Sequence, residues 1–183
     1  MLVRHARPVI DPGRPPGEWG LDEGYAADLA SFAGTLRTHG IDGVVTSTEP
    51  KAVGTARAIV DALGVPMSED DDLREQGNGP IPWFSDDEFL HVVAEHFRRP
   101  DEIVLGAESS ADAGRRFAAA VERARARFRF PALVSHGRVM CGYLAGVLER
   151  DPTPIWSVLR MPDALVLDLD RKHLSRVGEE KKV

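Results

Sequence analysis

Residues 1–8 read MLVRHARP, and residues 131–140 read PALVSHGRVM. In each, a short apolar run ends on a histidine, His5 or His136. Short apolar runs next to Pro or Gly have the length and composition of buried strands. In open sheets with helical crossovers, ligands bind outside the carboxyl ends of such strands. Two histidines at two such ends share one pocket only if their strands are neighbours.

Around these runs, strand and helix signals alternate. Ala6 to Gly20 holds four prolines and three glycines and predicts a loop. Tyr25, Leu29, Phe32 and Leu36 recur at helical spacing, and Gly40 stops the pattern. GVVTS (43–47) predicts a second buried strand. Pro50 suits the first turn of a helix, where its missing N–H costs nothing. Val53, Ala56, Val60 and Leu63 give that helix its apolar stripe, and Gly64 closes it. VPMSED (65–70) is a weaker strand that enters an acidic loop, and residues 86–97 predict a helix. Residues 109–129 predict the longest helix, with Phe117, Val121, Ala124 and Phe128 on one face. GRVMCGYLAGVL (137–148) predicts a helix behind the PALVSH strand, and ALVLDLD (164–170) a final strand. The tail GEEKKV is expected to fray. This order predicts an α/β fold, a three-layer α/β/α sandwich with a mainly parallel central sheet, in one domain over residues 1–183.

Composition narrows the function classes. The 183 residues are 43% hydrophobic and 28% charged, enough apolar surface for a real core. A net charge of −6 argues against nucleic acid or an anionic membrane as partner. Cys141 is the one cysteine, which excludes a disulfide framework and a cysteine-based metal site. No apolar run approaches ~18 residues, so no membrane span is expected. No signal-peptide pattern precedes the first strand, so a cytoplasmic location is the default. The first strand begins close to Met1, which leaves open a start upstream of it.

Arg4 beside His5 disfavours protonation of the imidazole. A neutral imidazole is a nucleophile, and a guanidinium is a bidentate phosphate ligand. Alone, His5 would read as a structural histidine bonded to backbone; the Arg4 pairing and the repeat at His136 favour a site. Gly137 permits close approach of a substrate or the first helix, and the helix start behind it offers N–H groups to an anion.

Here the sequence resembles the histidine phosphatase superfamily, the phosphoglycerate mutase-like family. LVRHA (2–6) looks like its opening Arg-His-Gly signature. VVTSTEPKAVGTARAI (44–59) is similar to its second block, matched at Ser47, Ala52, Thr55 and Ala56. LREQGNG (73–79) resembles the block carrying an acidic proton donor, ESSADAGRRF (108–117) a weaker Glu-Ser…Arg helix start, and ALVSHGRVM (132–140) the second-histidine block. Each match is weak; five in family order, from residue 2 to about 148, are specific. The resemblance implies that His5 attacks phosphorus and becomes a phosphohistidine. Arg4 and His136 would hold the equatorial oxygens, with Lys51 at the family's second arginine. Glu75 would protonate the leaving alcohol and then activate water. Such phosphoryl transfer needs in-line placement and charge neutralisation, and Arg, Lys and His supply these with no metal or other cofactor.

Three departures stand out. Ala6 replaces the signature glycine. Asp11 stands where mutase-like members carry a phosphate-binding asparagine, and a carboxylate there would repel phosphate. Lys51 replaces an arginine, which is not equivalent at a bidentate site. It also sits near a helix N-terminus, where the macrodipole disfavours a cation, so it reads either as the second phosphate cation or as a surface lysine. Glu75 lies in an acidic run that also reads as solvated charge. Arg7 and Arg138 read either as contacts to the rest of an acidic substrate or as solvated.

Other residues read as structural. His91 and His96 miss the i, i+4 spacing of a helical zinc pair. His39 reads as a C-terminal cap, His173 as part of the polar tail, and Cys141 as a buried inert thiol. Trp19 and Trp83 anchor loops or line a pocket mouth. The arginines of RARARFRF (123–130) read as a solvated helix face.

The reading is therefore a metal-independent phosphomonoester hydrolase acting through phosphohistidine on a small phosphorylated metabolite. Its alternatives are a catalytically weak phosphate-binding member of the same fold and a phosphoglycerate mutase. A mutase must exclude water from its phosphoenzyme, and the chain has no long inserts for a lid. A flavodoxin-like binding domain would need a Gly-rich loop after the first strand, and ARPVIDPG (6–13) is not one. Substrate identity and oligomeric state are not legible.

Overall fold

The computed structural model describes residues 1–77 and 84–179. Trp83 and the last four residues of the tail lie outside them. The strands are β1 (Leu2–Arg4), β2 (Gly43–Thr46), β3 (Met67–Glu69), β4 (Pro131–Ser135), β5 (Asp163–Asp168) and β6 (His173–Arg176). The helices are α1 (Ala26–Thr35), α2 (Pro50–Leu63), α3 (Asp86–Arg98), α4 (Ser110–Arg127), α5 (Gly137–Leu148) and the short α6 (Thr153–Trp156). The sheet order is β3-β2-β4-β1-β5-β6. Neighbours from β3 to β1 pair in parallel; β5 and β6 pair antiparallel.

Alternate residues of each strand feed different cores, as the strand period of two requires. Val3, Val44, Ala132, Val134 and Ala164 pack with Ala33, Ala52, Ala56 and Ile59 of α1 and α2. Leu2, Val45, Leu133 and Leu165 pack on the other face with Phe97, Phe117, Val121 and Leu144 of α3, α4 and α5. Both faces are thus covered by helices. Phe117 is fully buried, and truncating such a ring costs about 3–5 kcal/mol.

Two sequence expectations are corrected here. His173 opens β6, an edge strand pairing His173 with Asp168, rather than belonging to the polar tail. Phe128 has left α4: its backbone is extended, and its ring fills the space a side chain on Gly43 would take.

Strand adjacency positions the site. β2, β4 and β1 lie side by side, and each ladder runs one residue past the strand end. The His5 N–H donates to the Ser135 carbonyl (2.9 Å), and the Ser47 N–H to that of Val134 (2.9 Å). His5, Ser47 and His136 therefore emerge together at one edge.

Candidate active site

The His5 and His136 ring centroids lie 5.0 Å apart at 57°. Nδ1 of His5 lies 2.7 Å from the Ala6 carbonyl. A carbonyl only accepts, so Nδ1 carries the proton and Nε2 keeps a free lone pair. Burial lowers the His5 pKa to about 3; the charges of Lys51 and Arg4 add to this, and the Ala6 bond opposes it. His136 is fully buried, with Nε2 2.9 Å from Ser47 Oγ. Burial first, then His5, Lys51, Arg138 and Arg4, hold it well below the usual histidine range. The site thus presents two neutral imidazoles.

Arg4 leans over the start of α5, and its Nη1 donates to the Leu159 carbonyl (2.8 Å). A Cβ on Gly137 would sit 3.3 Å from the Arg4 guanidinium. Among the described residues the close neighbour of Gly137 is the Arg4 side chain, not the first helix. Thr55 Oγ1 accepts from the Ala6 N–H (2.9 Å) and donates to the Lys51 carbonyl (2.8 Å), tying the first loop to α2.

Lys51 is 5% exposed, which rules out the surface-lysine reading. Its Nζ donates to the Pro16 carbonyl and to Glu49 Oε2, both at 2.5 Å. Glu49, 7% exposed, thereby offsets the macrodipole penalty on a cation in the first turn of α2. The other carboxylate oxygen, Oε1, accepts the Glu75 N–H (2.7 Å) and lies 3.5 Å from His136 Nε2. Burial raises the Glu49 pKa, against the opposing pull of Lys51.

Glu75 is the opposite case. Its Oε1 accepts from Gln76 N (2.8 Å) and Val139 N (3.0 Å), its Oε2 from Arg138 N (3.3 Å). Burial alone would raise its pKa, but Arg138 and these N–H groups outweigh burial and hold it below the usual range. Glu75 thus occupies two N–H groups at the N-terminus of α5. Arg138 is buried, with Nε 3.6 Å from Glu75. Among the described residues, Arg4 Nε, Arg138 Nη1 and His136 Nδ1 have no hydrogen-bond partner.

The loop carrying Glu75 is held by the block that opens α4. Arg116 donates to the carbonyls of Asp72 (2.7 Å), Arg74 (2.8 Å) and Glu75 (3.0 Å) and pairs with Glu108 (2.5 Å). Glu108 in turn accepts the Gly77 N–H (2.8 Å). Arg123 bonds Asp70 and Asp72, so part of the acidic run is neutralised rather than merely solvated.

Arg4, His5, Lys51, Glu49, Glu75 and Arg138 border one cavity of about 620 Å³. Its outer wall includes Val9, Ile10, Trp19, Phe89, Trp156 and Met161. Trp19 also anchors the loop, donating to the Asp11 and Arg14 carbonyls. Arg7, at the mouth, donates to the Tyr25 hydroxyl (2.7 Å) and stacks over its ring. Asp11 does not border the cavity; its side chain accepts the Gly13 N–H in an exposed turn.

Sequence reasoning missed Glu49 and the Arg116 clamp. Glu49 stands inside the second matched block, two residues before Lys51, where an acid could have been asked what neutralises that lysine. His96, passed over as a ligand, is fully buried with Nδ1 3.4 Å from Gln76 Nε2. Cys141 is buried as expected, and burial raises its thiol pKa. Among the described residues no group of three or more His, Cys, Asp or Glu side chains is placed to hold a metal. No described helix is long and apolar enough to cross a membrane.

The fold and this edge of histidines and cations define a class. The chain belongs to the histidine phosphatase superfamily (branch 1), whose profile matches residues 1–175. It is a phosphatase by that membership. Solved structures share the fold at low identity. Bacillus stearothermophilus YhfR superposes with a TM-score of 0.69 at 21% identity, covering 100% of this chain and 96% of that one. The mycobacterial glucosyl-3-phosphoglycerate phosphatase gives 0.70 at 16%, covering 96% and 94%. The putative phosphohistidine phosphatase SixA from Agrobacterium tumefaciens gives 0.61 at 19%, covering 97% and 93%. No curated protein matches the sequence.

Proposed function

We propose that the chain hydrolyses a small phosphorylated metabolite by way of a phosphohistidine on His5. The observation that carries this is the His5 ring. Its Nδ1 is bonded to the Ala6 carbonyl and its Nε2 is free, beside His136 and the cations of Arg4 and Lys51. Nε2 attacks phosphorus in line, the P–O bond to the alcohol breaks, Arg4 and Lys51 neutralise the equatorial oxygens, and the neutral His136 donates a hydrogen bond to one of them. Glu75 delivers a proton to the departing alkoxide. Arg138 and the N–H groups around it favour its ionised form, and the incoming dianion brings negative charge that favours its proton-bearing form. Water activated by Glu75 then breaks the N–P bond and releases phosphate. The apolar outer wall favours a leaving group with apolar surface, and Arg7 leaves room for a nearby negative charge.

A second reading, phosphate binding with little turnover, draws on the Lys51–Glu49 pair, which leaves the second cation partly neutralised. A panel of phosphomonoesters assayed with EDTA separates the two. Turnover, with acid-labile, base-stable label appearing on wild type and not on His5→Ala, supports hydrolysis through His5. Binding of inorganic phosphate with no turnover of any ester selects the second reading, and label on His5→Ala removes His5 from the role.

A further inference from the structure

Lys51 has three N–H donors, and two are committed to the Pro16 carbonyl and Glu49 Oε2. A dianion arriving at this ammonium shares it with a buried carboxylate. Two anionic groups around one buried cation are costly, because burial disfavours every uncompensated charge. We propose that Glu49 takes up a proton from solvent when a tetrahedral oxyanion binds to Lys51. The step is balanced: one proton leaves the buffer and ends on the Glu49 carboxyl, and no other bond changes. This rests on the reading of the cavity as a phosphate site.

The charged and titratable groups facing Glu49 are Lys51 on its own helix, Glu75 on the loop after β3, and His136 between β4 and α5. Arg4, His5 and Arg138 border the same cavity. Glu75 is the poorer acceptor, since three backbone N–H groups and Arg138 hold its charge. His5 already carries its proton on Nδ1 and must keep Nε2 free. His136 is flanked by cations, and its Nε2 is engaged with Ser47. The charge of Glu49 is held by Lys51 and by one backbone N–H, that of Glu75, and the oxyanion competes for Lys51. The environments of Glu49 and Glu75 thus make Glu49 the first of the two carboxyls to take a proton when the dianion arrives.

The probe is sulfate, a tetrahedral dianion that does not itself titrate near neutral pH. Calorimetry in buffers of different ionisation enthalpy counts protons taken up per sulfate bound. Wild type should take up about one near neutral pH, and its sulfate affinity should rise about tenfold per unit fall in pH. Glu49→Gln keeps the shape but cannot titrate; it should take up none and bind sulfate with little pH dependence. Equal uptake in Glu49→Gln would assign the proton to Glu75 or a histidine and overturn the proposal, as would no uptake in wild type. A second readout needs no variant: sulfate should bring up the infrared band of a protonated carboxyl in wild type, and no new band overturns the proposal. Sulfate binding that is absent, or indifferent to Lys51→Ala, would instead bring down the phosphate-site reading beneath it.

Discussion

His5 and His136 face one another at 5.0 Å because β1 and β4 are parallel neighbours in register, Val3 with Val134 and Arg4 with Ser135. One residue further along each strand, both chains leave the sheet at the same edge. The pairing brings a free imidazole nitrogen into a pocket of cations, and it sets what substitutions should do.

Glu75→Gln keeps the shape of the side chain but removes its proton transfer. General acid catalysis contributes about 10²–10⁴-fold. Loss of activity should be large on alkyl phosphates and small on p-nitrophenyl phosphate, whose leaving group needs little protonation. Steady-state kcat/KM on both substrates checks this, and equal losses would remove Glu75 as donor.

Lys51→Ala leaves the bound dianion short of a charge-assisted bond worth about 1.5–3 kcal/mol. At about 1.4 kcal/mol per decade, kcat/KM should fall roughly 10- to 150-fold. Lys51→Arg should retain most activity. If Lys51→Ala is fully active while Arg4→Ala is dead, Lys51 serves packing with Glu49 and does not meet phosphate.

His96 gives a pH test of stability away from the reacting atoms. Burial first, then Arg138, lowers its pKa from 6.5 to about 4, with Glu75 and Glu108 opposing. Between those values the unfolded chain binds a proton that the folded chain refuses. Stability is therefore complete above 6.5 and is lost as pH falls towards 4, by about 1.4 kcal/mol per pH unit for this group. His5 and His136 act in the same direction. Urea unfolding across this range should show a shallower acid slope for His96→Gln, by about that amount. An unchanged slope would mean that His96 titrates normally in the folded protein.

The cavity's outer wall predicts a preference that leaving-group chemistry cannot mimic. Ethyl and 2-phenylethyl phosphate have similar leaving groups and differ by a ring. Fully burying a Phe-sized side chain is worth about 1.5–3 kcal/mol, and a half-covered ring about half that. The phenyl ester should then gain roughly three- to tenfold in kcat/KM. Val9 and Ile10 are 51% and 59% exposed, so replacing both with serine should erode the gain at little cost in stability. Equal rates on the two esters in wild type would show that the wall does not meet substrate.

Much of the fold was legible because its signals are local. Apolar runs of strand length, helical spacing such as Val53, Ala56, Val60 and Leu63, and the stops at Gly40 and Gly64 are properties of neighbouring residues. In the left-handed conformation, Gly64 ends α2 and Gly40 ends the 3-10 turn (Leu36–His39) that follows α1. HLSR, by contrast, is a short edge strand with little apolar content, and only pairing with β5 makes it a strand. Phe128 fits the period of α4, yet tertiary packing against Gly43 outcompetes one more helical turn.

The site divides the same way. By itself the sequence determined which residues bear the chemistry at strand ends: Arg4 with His5, and His136, each where an apolar run stops. Only the tertiary structure decided their setting. It placed Glu49 against Lys51, Glu75 and His136, gave the N-terminus of α5 to Glu75, and used Arg116 to hold the Glu75 loop by three carbonyls. A side chain's identity and local period are written in sequence, whereas its charge state and partners depend on burial and on groups brought near from distant segments. Glu49 and Glu75 are the same residue type, and burial pushes both pKa values up; at Glu49 burial wins over Lys51, whereas at Glu75 Arg138 and the N–H groups of a helix terminus win over burial.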